Sequence, residues 1–137
     1  MMTFGPAKYE VCTFCTESKI FGYSSATVGD ASQFKNGRQM AVSLGLTPKQ
    51  NSSGGKETLL GISKRGDPYV RSLLVHGARA MVNASKGKDD RLSLWVTRIS
   101  TTRHPNIAAV AMANKTARIA WAIIRKGCDY QPDLAAA

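Results

Sequence analysis

From position 67 onward the apolar residues recur at helical spacing. Val70, Leu73, Leu74, Gly77, Ala78, Met81 and Val82 fall at i, i+3, i+4 intervals, the stripe of an amphipathic helix. Asp67-Pro68 opens that stripe with an N-cap acid and a proline at the first helical position, where its missing N–H is no loss. The pattern predicts a helix to about Ala84, with Gly87 as the stop. Asp89 or Asp90 then caps a helix that turns Leu92, Trp95, Val96 and Ile99 inward, until His104-Pro105 breaks it. A last helix, from about Pro105 to Lys126, is expected to bury Ile107, Val110, Ala111, Ala117, Trp121 and Ile124 and to end at Gly127.

Upstream the pattern is shorter. Asp30 can cap a turn through Phe34, and Asn36 a helix from Gly37 to Leu44 that stops at Gly45. Phe34, Met40, Ala41 and Leu44 supply its apolar face, and Pro48 forbids further helix. Residues 1–28 carry little pattern beyond the strand-like Tyr9 to Cys15 and are expected to pack poorly. The expected organisation is a divergent segment 1–28, one domain over 29–132 and a tail 133–137. Between the helices, Leu46 to Asp67 holds no long apolar run. It admits a short hairpin, with Glu57 to Ile62 as the better strand. The fold class is mainly α: a small helical domain with a Ser-Gly-rich basic loop and room for that one hairpin.

Charge changes the picture more than composition does. Nineteen Lys and Arg against nine Asp and Glu leave +10 over 137 residues, a balance that favours polyanionic partners, nucleic acid first. Between Lys35 and Arg79 stand Lys35, Arg38, Lys49, Lys56, Lys64, Arg65, Arg71 and Arg79 against only Glu57 and Asp67. No apolar run reaches membrane-spanning length and no signal-peptide h-region opens the chain, so a cytoplasmic protein without a membrane partner is expected. Cys12 and Cys15 have the spacing of half a zinc site, but the remaining candidates, Cys128, His76 and His104, lie on or beside predicted helices. Reduced cysteines and no metal are the simpler expectation.

The central stretch carries the candidate chemistry. In Ser52-Ser53-Gly54-Gly55-Lys56, two glycines let backbone approach a ligand and adopt positive φ. A serine hydroxyl there can attack a phosphodiester if a base or metal activates it and cations stabilise the phosphorane. Lys56, Lys64 and Arg65 are near enough in sequence for the second task. From spacing alone, two small residues in a flexible loop explain the serines as well. The segment is not a P-loop, since Glu57 follows Gly55-Lys56 where Ser or Thr is required. Arg65-Gly66-Asp67 spells an adhesion tripeptide, but Asp67 is explained as a cap. The acids do not gather into a site for two divalent ions. Asn114, Lys115 and Arg118 form a polar patch on the last helix, fit for DNA or for water.

Together these residues resemble the C-terminal domain of the Piv/MooV-like insertion-sequence transposases, the IS one-ten/eleven-eleven family. The resemblance lies in Gly29 to Gln39, Leu44 to Gln50, Ser52 to Lys56 and Gly61 to Asp67, then Leu73 to Ala80 and Ala111 to Trp121, in order over about Gly29 to Pro132. It implies DNA recombination in which a serine attacks the DNA backbone; that serine matches Ser53, with Ser52 as the alternative. Arg38, Lys49, Ser52, Gly54, Gly55, Lys56, Lys64, Arg65, Arg71, Arg79, Lys115 and Arg118 are the residues expected on nucleic acid.

The family also implies an N-terminal RuvC-like domain whose acidic set binds magnesium, and a guide RNA encoded by the element itself. Neither that domain nor the glycine-rich hairpin motif just upstream is present, and Val42-Ser43 replaces the usual Ala-Trp. A truncated transposase is therefore expected, with no cofactor in this chain, partners in element-end and target DNA and in other copies of itself, and no activity alone. The competing reading is a non-catalytic basic module that binds nucleic acid by charge.

Overall fold

The computed structural model describes residues 31–126. The Tyr9–Cys15 strand, the cysteines, the Asp30 cap, the expected boundaries at 28/29 and 132/133, and the Gly127 stop all lie outside them. A 3-10 turn at Ala31–Gln33 leads to α1 (Gly37–Ser43), a hairpin of β1 (Pro48–Gln50) and β2 (Leu59–Ile62), then α2 (Pro68–Ala84), α3 (Arg91–Thr102) and α4 (Pro105–Lys126). The mainly α class and the single short antiparallel hairpin are both as expected.

Each helix begins where a side chain satisfies its free N–H groups. Asn36 accepts from Gln39 N at 2.9 Å, and Asp67 from Tyr69 N at 2.7 Å. At the other end of α1, Gly45 (φ +71°) donates to Val42 O and Leu46 to Ala41 O, a Schellman closure that tucks Leu46 into the core. His104 caps α4, its Nδ1 accepting from Asn106 N at 3.2 Å.

The core is centred on α4, which packs most extensively on α2 and α1 and also meets α3. Met40, Leu46, Val96 and Met112 are its largest fully buried side chains. One expectation needs correcting. Ala117 is buried as expected, but Ile107 is 52% exposed, Val110, Ala111, Trp121 and Ile124 are half-buried, and α4 also buries Ala108, Ala109, Met112, Ala113 and Ala120. Three helices crowd this one, so small residues win the inner face and the larger aliphatics move to the flanks. At the α1 crossing a Cβ on Gly37 would stand 3.1 Å from the Arg118 Cα and carbonyl. By length and composition α4 could cross a membrane, yet its inner stripe is part of the core. Trp121 Nε1 donates to Ala31 O and Phe34 O, both at 3.2 Å, and holds the 3-10 turn against α4.

Asp90, of the two candidate acids, caps α3 by accepting from Ser93 N at 3.0 Å. Burial pushes its carboxyl up, but the hydrogen bonds from Ser93 and its own backbone, with the Lys88 charge, outweigh this and hold it low. A depressed acid contributes stability above its unfolded pKa and loses it as pH falls through the folded one. Asp90→Ala should therefore cost about 1 kcal/mol near neutrality. In a pH series of chemical denaturation, the gap to wild type should close in strong acid.

Candidate nucleic-acid interface

The hairpin stands on a rigid base. Gly45 and Gly66 bring two backbones into contact, the first against Lys64 and Arg65, the second against the Ser43 carbonyl. Arg71, on the first turns of α2, donates through Nη1 to Leu44 O at 3.2 Å and Arg65 O at 3.0 Å. Its guanidinium thus braces the hairpin from below. Asn114 adds a contact from α4, its Nδ2 donating to Leu46 O at 3.4 Å.

Above the base the ladder is exposed. Pro48 pairs with Ile62 and Gln50 with Leu59, and the register slips by one between them, so β2 carries a bulge at 60–61. Asn51 N donates to Thr58 O at 3.0 Å, and Ser53 bridges to Lys56, whose N–H donates to the Ser53 carbonyl at 3.2 Å. Between them Gly54 (φ +59°) and Gly55 (φ +79°) make the turn, both left-handed as the tightest hairpin turns require. A Cβ at either glycine would meet nothing within 4 Å.

Register assigns the side chains to faces. Directly opposed residues of an antiparallel pair point the same way, with Cβ atoms about 5 Å apart. Ser53 and Lys56 therefore share a face, and strand alternation adds Lys49 to it. Ser52 faces the other way, across from Glu57, and its hydroxyl accepts from Gln50 Nε2 at 3.0 Å. Among the described residues the Ser53 hydroxyl has no hydrogen-bond partner.

The other residues expected on nucleic acid are placed more widely. Lys64 and Arg65 are exposed at the hairpin base, whereas Arg71 is partly buried in its brace. Arg79 is exposed two turns further along α2, about 12 Å from Arg71 along the axis. Arg38 and Arg118 are exposed where α1 crosses α4. Lys115 lies over the Trp95 ring of α3. Sequence alone does not reveal Gly66 and Asn114 as parts of the base, or Arg91 as a cation near Lys115. These contacts join residues distant in sequence, so no local spacing signals them.

The described residues do not fit a metal centre. No three His, Cys, Asp or Glu side chains come together among them, and Asp67 and Asp90 are used as helix caps. His76 is exposed on α2, and His104 is engaged at the start of α4.

Residues 24–92 match the model of the Transposase IS116/IS110/IS902 family. Among similar proteins, a probable family 20 transposase of Pseudomonas aeruginosa is 50% identical over 108 residues, covering 79% of this chain and 32% of its own length. The transposase for insertion sequence element IS1111A of Coxiella burnetii is 49% identical over 106 residues, covering 77% of this chain and 29% of its own. That for insertion sequence element IS1328 of Yersinia enterocolitica is 45% identical over 100 residues, 73% and 30% respectively. The chain thus spans about a third of the length of these relatives. No solved structure matches it. With the match running through α1, the hairpin and α2, over half of its length, the chain belongs to the IS116/IS110/IS902 family of transposases.

Proposed function

We propose that this chain is the part of a DNA transposase that grips DNA with a basic hairpin and presents Ser53 at its tip to attack a phosphodiester. One observation supports the reading above others: Ser53 is registered with Lys56 across a Gly-Gly turn that leaves open space around it. A phosphate approaching the tip meets a free hydroxyl and an ammonium on one face, with Lys49 further down the same face. In the step, Ser53 Oγ forms a bond to phosphorus while the bond to a deoxyribose oxygen breaks. The hydroxyl proton leaves to a base, and the departing oxygen takes up a proton. Lys56 offsets charge that builds on the phosphoryl oxygens.

Among the described residues no base is hydrogen-bonded to the Ser53 hydroxyl, and such a group usually contributes on the order of a hundredfold or more. Residues 31–126 are therefore not sufficient for the step. They work with an acidic, magnesium-binding domain, in the cytoplasm, on element-end and target DNA, with an element-encoded guide RNA and other copies of the protein. Arg71 serves by holding the hairpin upright and not by touching phosphate.

Binding is expected to be mainly electrostatic. The logarithm of affinity for duplex DNA should fall with the logarithm of salt, by roughly 0.9 per phosphate contact. Lys49→Gln with Lys56→Gln should flatten that slope, measured by anisotropy titration at several salt concentrations. Binding indifferent to salt, or none at low salt, would overturn the reading.

A further inference from the structure

A second basic group is built on α3 and α4 and not on the hairpin. Lys115 Nζ lies 4.7 Å from the centroid of the Trp95 ring, which fixes an ammonium of α4 above an aromatic of α3. Arg118 follows at i+3, on the same side of α4. Arg91, at the first position of α3, is the other charge that Lys115 feels. Burial first, then the Arg118 and Arg91 charges, lower the Lys115 pKa. Its charged neighbours are thus both of its own sign. Lys115 and Arg118, like charges three residues apart on one helix, oppose folding, and a bound anion relieves them. The Gly37 contact brings the start of α1, and with it Arg38, to the backbone of Arg118. Lys115 and Arg118 also lie beyond residue 92, where the family match ends.

We propose that Lys115, held over the Trp95 ring, and Arg118, one turn further along the same helix, bind a backbone phosphate of nucleic acid at a second site. The proposal rests on the nucleic-acid reading of this chain and is independent of Ser53. The ligand chemistry is a phosphodiester oxygen, from DNA or from RNA. A second grip on α3 and α4 would hold the strand to the body of the domain while the hairpin tip engages it elsewhere.

The protein has two tryptophans, Trp95 and Trp121, hence two indole N–H resonances, assigned by Trp95→Phe. The 137-residue chain is titrated with a short DNA duplex, with RNA of the same sequence and with inorganic phosphate. Nucleic acid should shift the Trp95 indole and leave Trp121 in place; which of the two polymers does so at lower concentration identifies the source. Lys115→Gln with Arg118→Gln should reduce the salt slope for duplex binding by about 0.9 for each phosphate no longer neutralised. That variant exchanges like-charge repulsion for a lost Trp95 contact and should stay folded, which its melting curve checks. If it does not, the wild-type spectrum decides instead. The hairpin variant Lys49→Gln with Lys56→Gln should still shift Trp95 at saturation, which separates this site from the hairpin reading. A Trp95 resonance unmoved at saturation by both polymers, or a folded double variant with an unchanged slope, overturns the proposal.

Discussion

Gly66→Ala should destabilise the domain by on the order of 3 kcal/mol or more and lower its melting temperature by roughly 10 °C. Two effects add at this position. Its φ of +79° lies in the left-handed region, which costs a residue with a Cβ about 1–2 kcal/mol. The new Cβ would also fall on the Ser43 carbonyl, backbone that has no rotamer by which to yield. Relief would have to part α1 from the hairpin base, against the Arg71 brace and the buried Leu46. Gly54→Ala is the control. Its φ is also positive, but nothing lies within 4 Å of the added carbon, so about 1 kcal/mol confined to the hairpin tip is expected. Thermal melts of the two variants separate crowding from backbone conformation. Equal melting temperatures would contradict the close contact at Gly66.

Ser53→Ala should abolish covalent attachment of DNA in an assembled transposase, whereas Ser52→Ala should leave most of it. The two serines are neighbours in sequence but differ in surroundings. The Ser52 hydroxyl is engaged by Gln50 and lies on the Glu57 face, where a carboxylate repels phosphate. Ser53 shares its face with Lys56 and Lys49. Removing an attacking oxygen leaves no alternative path through that hydroxyl, so the loss is of the whole reaction. Both hydroxyls are exposed and neither supports the core, so both variants should melt as wild type does. Loss of the adduct is thus distinguishable from loss of the fold.

The helices were legible because their signals are local. Asp67-Pro68, Asn36 and Gly45 act through hydrogen bonds to residues two to five positions away, and each reads directly from spacing. The inner face of α4 was not legible. Hydropathy ranks Ile107 above Ala108, but three crowding helices select for size, and only the packing shows that they crowd. The same division holds at the site. Ser53, the glycine pair and the lysines stand out in the sequence, yet which serine faces a lysine depends on register. That register includes a bulge at 60–61, which Gly61 alone hints at. Arg71 illustrates the limit: in sequence it is one more cation, and in the fold its guanidinium is spent on two carbonyls.

The most direct measurement is the identity of the residue that becomes linked to DNA. A full-length transposase would carry residues 31–126 of this chain in place of the matching segment of the Pseudomonas aeruginosa relative, with that relative itself as the positive control. It would be incubated with element-end DNA, guide RNA and magnesium, digested, and its phosphate-linked peptide sequenced by mass spectrometry. A nucleotide is expected on Ser53, with no adduct from Ser53→Ala and none from the 137-residue chain alone. A nucleotide on Ser52 or on any other residue, or an adduct undiminished by Ser53→Ala, would contradict that assignment.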